Sequence, residues 1–201
     1  MDPLPTRERI VAAASRLFYR EGIRAVSVDA VAAEAGLTKR SLYYHFKSKD
    51  DLVAAYLDYR DLPNLSAFRR WYAQAEGGVA DRFVAIFEQL ASTAAHPAWR
   101  GCGFLRTAAE LADLPGHPAI TIGAAHKKKV EQWFAACLAE DGIADPDSLA
   151  AQIRLLLDGA FSVVMLHRDP AYMLMAGDAV RALIESAARH GPADGTCVSL
   201  P

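Results

Sequence analysis

Cysteine is scarce in this chain. Cys102, Cys137 and Cys197 are odd in number, far apart, and nowhere form a CxxC pair. That pattern fits neither a disulfide framework nor a thiolate zinc site, and it suits a reducing cytoplasm. Long apolar runs are missing too. The most apolar tract, 155-LLLDGAFSVVML-166, is short and broken by Asp158, which argues against a membrane span. The opening MDPLPTRERI has no apolar stretch and does not read as a secretory signal. GxSxG, the P-loop, GxGxxG and HExxH are all absent. With them go the common signatures of hydrolase, nucleotide-binding and zinc-protease chemistry. No enzyme is expected, and no cofactor or metal. Strand-like alternation is not apparent either.

What is present is a helical pattern over 201 residues, about half of them apolar. That is enough for a substantial core and too apolar for a disordered chain. Net charge is close to neutral, but its distribution is not. Residues 1–49 hold nine Lys/Arg against five Asp/Glu, and the rest hold 13 against 19. A basic head on an acidic body predicts that only the head meets a polyanion.

In 6-TRERIVAAASRLFYREG-22, Ile10, Ala13, Ala14, Leu17 and Phe18 recur at three and four and make one apolar face. Thr6 is a candidate cap, and Gly22 can take a left-handed conformation past the end. Ser27 caps a second, short helix that Gly36 closes. Thr38 caps a third only two residues later. Two short helices across a tight glycine turn, braced by a longer one, predict a helix-turn-helix. A fourth helix begins in 48-SKDD-51 and runs to about Arg60, with Pro63 expected to stop or kink it. Further helices are expected near 64–75, 79–95, 102–112, 118–141, 147–168 and 171–189, about nine in all. The tail from Gly191 is expected to fray.

The third helix lies in 36-GLTKRSLYYHFKSKDDL-52. Leu42 and Phe46 are four apart and should face the core. That leaves Lys39 with Tyr43, and Arg40 with Tyr44, as two outward stripes. Lys39, Arg40, Lys47 and Lys49 can neutralise phosphates. Tyrosine can bond a phosphate through its hydroxyl and pack its ring on a sugar or a thymine methyl. Thr38 opens the helix where free amides attract phosphate. Adjacent tyrosines in a helix are often plain packing groups; the basic neighbours and the short turn argue for contact with nucleic acid.

Residues 6–55 resemble the DNA-binding domain of the TetR family of bacterial transcriptional regulators. The resemblance rests on 6-TRERIVAAASRLFYREG-22, on 27-SVDAVAAEAGLTKRSLYYHFKSKDDL-52 and on their spacing. It implies an all-α fold, with a three-helix DNA-binding head over residues 1–52 and a helical effector-binding and dimerisation domain over 53–190. Residues 191–201 would then be a flexible tail. It implies a two-fold dimer on an operator in double-stranded DNA. It also implies DNA contact by Ser27, Thr38, Lys39, Arg40, Ser41, Tyr43, Tyr44, His45 and Lys49. Lys39 and Arg40 are the candidates for base reading. His45 has two readings, a phosphate contact or a brace within the head.

The body is expected to bind a small, largely apolar or aromatic effector. Candidate liners are Trp71, Phe83, Phe87, Phe104, Trp133, Phe134, Phe161 and Met165, although aromatics at helical spacing are more often core. Arg106, Glu110 and His126 are candidate polar anchors. Arg106 and Glu110, four apart, could equally form a surface ion pair, and 126-HKKK-129 reads as a solvated face. Cys102 at a helix start could be a reactive thiol, or simply a small buried one. The helix at 147–168 is apolar almost all round and so should be buried on more than one side; with the helix at 171–189 it is the dimer interface that the resemblance implies, the alternative being that both bury only against their own chain.

The function expected is a DNA-binding repressor released by an effector. A DNA-binding protein with no small effector, and a helical enzyme, are the alternatives.

Overall fold

The computed structural model describes residues 4–114 and 116–189. Among these the chain forms nine helices and no strand. They are α1 (Thr6–Glu21), α2 (Val28–Glu34), α3 (Lys39–His45), α4 (Lys49–Gln74), α5 (Val79–Ala94), α6 (Gly103–Glu110), α7 (Pro118–Glu140), α8 (Pro146–His167) and α9 (Ala171–Arg189). The chain is all-α, as its periodicity requires. Cys197 and the tail from Gly191, for which fraying is expected, lie outside the described residues.

Two compact units are distinguished: Met1–Phe68 with His96–Lys127, and Arg69–Ala95 with Lys128–Pro201. The first contains α1, α2, α3 and α6. Its core is the apolar face of α1, with Ile10, Ala13 and Ala14 fully buried, closed by Val31, Leu42, Phe46, Leu52, Leu57 and Phe104. Each large side chain buried here stabilises the fold by roughly 1.5–3 kcal/mol. Ser27 caps α2 by accepting from Ala30 N at 3.1 Å, and Thr38 caps α3 by accepting from Ser41 N at 3.1 Å. Gly36, at φ 66°, makes the sharp turn between them.

Two expectations for this unit fail. Thr6 does not cap α1, because Pro5 holds the cap position with extended dihedrals and Thr6 is already helical. Nor does Pro63 end α4, which runs unbroken from Lys49 to Gln74 and absorbs the helix expected near 64–75. Tyr59, Leu62 and Pro63 all lie on its exposed side, so the carbonyl that Pro63 leaves unbonded can turn to water. Leu57, Leu65 and Phe68 are buried on either side of that point.

In the second unit α9 packs along α5 and also against α8. Gly177 permits the first contact: a Cβ there would lie 3.0 Å from the Cβ of Phe87. Asp145 caps α8 by accepting from Ser148 N. Contrary to the reading of a short broken tract, α8 is long and apolar enough to cross a membrane by length and composition, with a mean hydropathy of 1.6 over 18 residues. Past Asp147 in its first turn, its charges are Arg154 and Asp158, which form an ion pair at 2.8 Å, and Arg154 also reaches Glu131 of α7 at 2.7 Å.

Candidate nucleic-acid interface

The interface is built by burying one face of α3. Leu42 is 0% exposed and Phe46 is 4% exposed, which turns the opposite face outward. There Tyr44 is 87% exposed and Tyr43 45%. A ring left that open contributes little to the fold and is available to a partner outside the chain. Thr6, Leu37, Arg40, Ser41, Tyr43, Tyr44 and His45 line one open cleft of about 690 Å³. It brings the start of α1 beside the outward face of α3.

The capping hydroxyls hold this surface. Ser27 and Thr38 accept from backbone amides, and Ser41 lies 3.0 Å from the Thr38 hydroxyl. A hydroxyl that accepts from an amide can still donate its own proton, so Ser27 and Thr38 can cap and meet a phosphate together. Lys39 is tied back to Asp29 of α2 at 2.9 Å, and that bond raises its pKa. Arg40 is exposed and makes no ion pair among the described residues. Of the two base-reading candidates, Arg40 is therefore the one already at liberty. Lys47 is exposed. Lys49 is half-buried, and desolvation lowers its pKa against the pull of Glu110 and Asp50. His45 is half-buried and meets the Tyr44 ring edge-on at 5.2 Å.

Two supports escaped the sequence reading. Arg9 of α1 donates to the carbonyl of Ala35 at 2.8 Å, where α2 ends, and so fixes the turn. Arg7 lies over the Phe46 ring at 5.1 Å. Both belong to the basic head, but charge alone does not distinguish a brace from a phosphate contact.

The candidate effector residues separate between the units. In the first, Phe104 stacks on His126 at 3.8 Å, and His126 bonds Asp61 at 2.6 Å. His126 is 5% exposed, so the run 126–129 does not begin as a solvated face. Arg106 and Glu110 do not pair with each other, because each has a backbone partner. Arg106 donates to the carbonyl of Tyr19 at 2.7 Å. Glu110 accepts from the amides of Ile23 and Arg24, in the turn after α1. Gly22 sits beside that carboxylate at φ 97°, where a Cβ would come within 3.2 Å of it. Its ψ of 160° is extended, so the left-handed helical conformation expected of it is not adopted. Cys102 is half-buried at the N-cap of α6.

In the second unit Phe83, Trp133 and Phe134 form an aromatic cluster with Tyr72, a member the sequence reading missed. Burial pushes the Tyr72 hydroxyl up to about 12, with Cys137 adding to the rise. Phe87 packs against Gly177. Phe161 is buried, while Trp71 and Met165 are half-buried. Among the described residues no group of His, Cys, Asp and Glu could hold a metal ion.

Comparison with known proteins agrees with this geometry. Residues 10–56 match the family model for bacterial regulatory proteins of the tetR family. A TetR-family transcriptional regulator from Streptomyces coelicolor is similar over 92% of this chain and 94% of its own, at 31% identity and a TM-score of 0.74. A putative TetR regulator from Streptomyces avermitilis is also 31% identical, over 92% of this chain and 99% of its own, at a TM-score of 0.77. The transcriptional regulator TtgR of Pseudomonas putida is 42% identical over 53 residues, and the match spans only 25% of its length. The similarity thus reaches from the head across nearly the whole fold: this chain belongs to the TetR family of DNA-binding transcriptional regulators, not to a family of enzymes.

Proposed function

We propose that this regulator is a repressor that binds a near-palindromic operator as a two-fold dimer and leaves it when a small effector binds. Residues 1–52 act as the head and residues 53–190 as the effector-binding and dimerisation part, working in the cytoplasm. The observation that carries the reading is the outward face of α3, where Tyr43, Tyr44 and Arg40 stand exposed over a buried Leu42 and Phe46. Arg40 reads bases. The tyrosines, Ser27, Thr38, Ser41, Lys47 and Lys49 position the helix on phosphates, and Lys39 joins them once it leaves Asp29.

Dimerisation uses α8 and α9. Leu155, Leu156, Gly159, Ala160, Val163, Tyr172 and Ala176 line an open apolar trough of about 320 Å³ on these helices. Leu155, Leu166, Leu174 and Met175 are 45–76% exposed. An apolar surface of that kind favours a second copy. The aromatic cluster of Tyr72, Phe83, Trp133 and Phe134 supports an apolar or aromatic effector. Half-sites about 34–36 Å apart suit one turn of DNA, so an effector that changes the head spacing weakens binding.

Selection of bound fragments from genomic DNA tests this reading. A shared near-palindrome whose affinity falls when half-site spacing is altered is the expected result. Binding with no shared site, or indifference to spacing, would favour a DNA-binding protein that works without a small effector.

A further inference from the structure

The N-terminus of α6 lies against groups that donate hydrogen bonds and find no acceptor. α6 begins at Gly103 behind a Gly101-Cys102 turn, and no side chain caps its first turn. Gly101, Gly103 and Phe104 are buried, so water is a poor substitute there. A Cβ on Gly103 would lie 2.9 Å from the Tyr56 hydroxyl and 3.3 Å from Arg60 Nε. Glycine thus lets two α4 side chains reach the backbone of this turn. Arg60 Nε is buried and has no hydrogen-bond partner. Its guanidinium face rests on the Tyr19 ring at 4.7 Å, but that contact leaves the in-plane N–H unsatisfied. Tyr56 is 1% exposed, and its hydroxyl has no hydrogen bond to another described residue. A tyrosine hydroxyl is a donor at neutral pH, and burial raises its pKa further.

The charges around this turn are also one-sided. Arg60 and Arg106 both lie over the Tyr19 ring, and Arg100 follows on the approach to the turn. Arg100 and Arg106 donate to backbone carbonyls, and none of the three makes an ion pair among the described residues. The nearby acids are engaged: Glu110 holds the amides of Ile23 and Arg24, and Asp113 pairs with Arg24. Two guanidinium groups, those of Arg60 and Arg106, therefore share the Tyr19 ring without an ion-pair partner among the described residues, and Arg60 also lies against the positive end of the α6 dipole. Buried donors left unmatched cost stability, and an oxygen-rich anion would satisfy several at once.

We infer that the first turn of α6, with Tyr56 and Arg60, binds a small oxyanion, a carboxylate or a phosphate group. Bound there, the anion draws Arg60 off the Tyr19 ring. Tyr19 belongs to α1, and its hydroxyl accepts from Arg100 N at 2.9 Å and donates to Gly101 O at 3.3 Å. The site therefore adjoins the helix that braces the DNA-reading pair. This regulatory use rests on the effector-responsive reading proposed above; the binding site itself does not.

The test is calorimetric titration of acetate, benzoate and inorganic phosphate into the full chain at constant chloride. Saturable binding of at least one probe is expected, weakened tenfold or more by Arg60→Met and by Tyr56→Phe. Arg82→Met, a cation stacked on Tyr72 in the other unit, should leave it unchanged. Circular dichroism checks that each variant folds. No saturable binding of any probe, or equal binding by wild type and a folded Arg60→Met, would overturn the site. The probe that binds separates carboxylate from phosphate. Anion binding without any change in DNA affinity would leave the site standing and remove its regulatory use.

Discussion

Replacing Glu110 by Ala should loosen the turn between α1 and α2 without unfolding the chain. The Glu110 carboxylate accepts from Ile23 N at 2.8 Å and from Arg24 N. Hydrogen bonds to a charged acceptor contribute about 1.5–3 kcal/mol each where water cannot replace them. Arg24 is exposed, so water takes over most of its share, whereas Ile23 is 4% exposed. The loss should therefore fall mainly on the Ile23 amide, at about 2 kcal/mol. Read as local opening, that is roughly 30-fold faster exchange. Amide hydrogen exchange followed residue by residue is the assay. The expected result is about 30-fold at Ile23 and less at Arg24, with the amide of Leu17, inside α1, within about twofold of wild type. Glu110→Gln keeps one acceptor oxygen and should fall between. Unchanged exchange at Ile23 in the alanine variant would refute the reasoning. An equal rise at every amide would refute it too, because the effect would then be global.

Thr38→Ala removes the cap of α3 and should cost about 1 kcal/mol, seen as a lower denaturant midpoint and weaker DNA binding; an unchanged midpoint would count against the capping role. Gly177→Ala brings a Cβ to 3.0 Å from Phe87 and should destabilise by about 1–3 kcal/mol in thermal unfolding; an unchanged midpoint would count against that close packing of α9 on α5. The Tyr72 hydroxyl is raised to about 12, above its unfolded value near 10. Its contribution is therefore complete below pH 10 and lost as pH rises through about 12; Tyr72→Phe should flatten that alkaline loss of stability. Cys102→Ser should leave any response of DNA binding to oxidant unchanged, since a half-buried N-cap thiol is most simply a packing group; an oxidant that releases the wild type but not the variant would show otherwise.

The head was legible because its signals are local. Apolar spacing set the buried face of α1, and Ser27, Thr38 and Gly36 fell where helices start and turn. Leu42 and Phe46 followed from a separation of four, and their burial left the tyrosines outside. Thr6 and Pro63 were misread because each decision lies beyond the residue itself. Pro5 took the cap from Thr6, and the exposed side of α4 made Pro63 harmless. The links from α6 to α1 were invisible for a different reason. Arg106 and Glu110 sit four apart and suggest each other, yet their partners are about 87 residues away in sequence. His126 likewise read as part of a basic run, and only packing against Phe104 and Asp61 made it a core group. Tyr56, Arg60 and Gly103 gave no signal at all, since their meeting depends on how α4 and α6 pack.

The most direct test of the central claim is DNA affinity of the Tyr43→Ala, Tyr44→Ala double variant at two salt concentrations, measured alongside its thermal stability. Both rings are exposed, so the fold should tolerate their loss with little change in midpoint. The account predicts steeply salt-dependent binding by the wild type and an affinity at least about tenfold lower in the variant, with the fold intact. Equal affinity for DNA in wild type and a folded double variant would contradict it, because the outward face of α3 would then not be the surface that reads DNA.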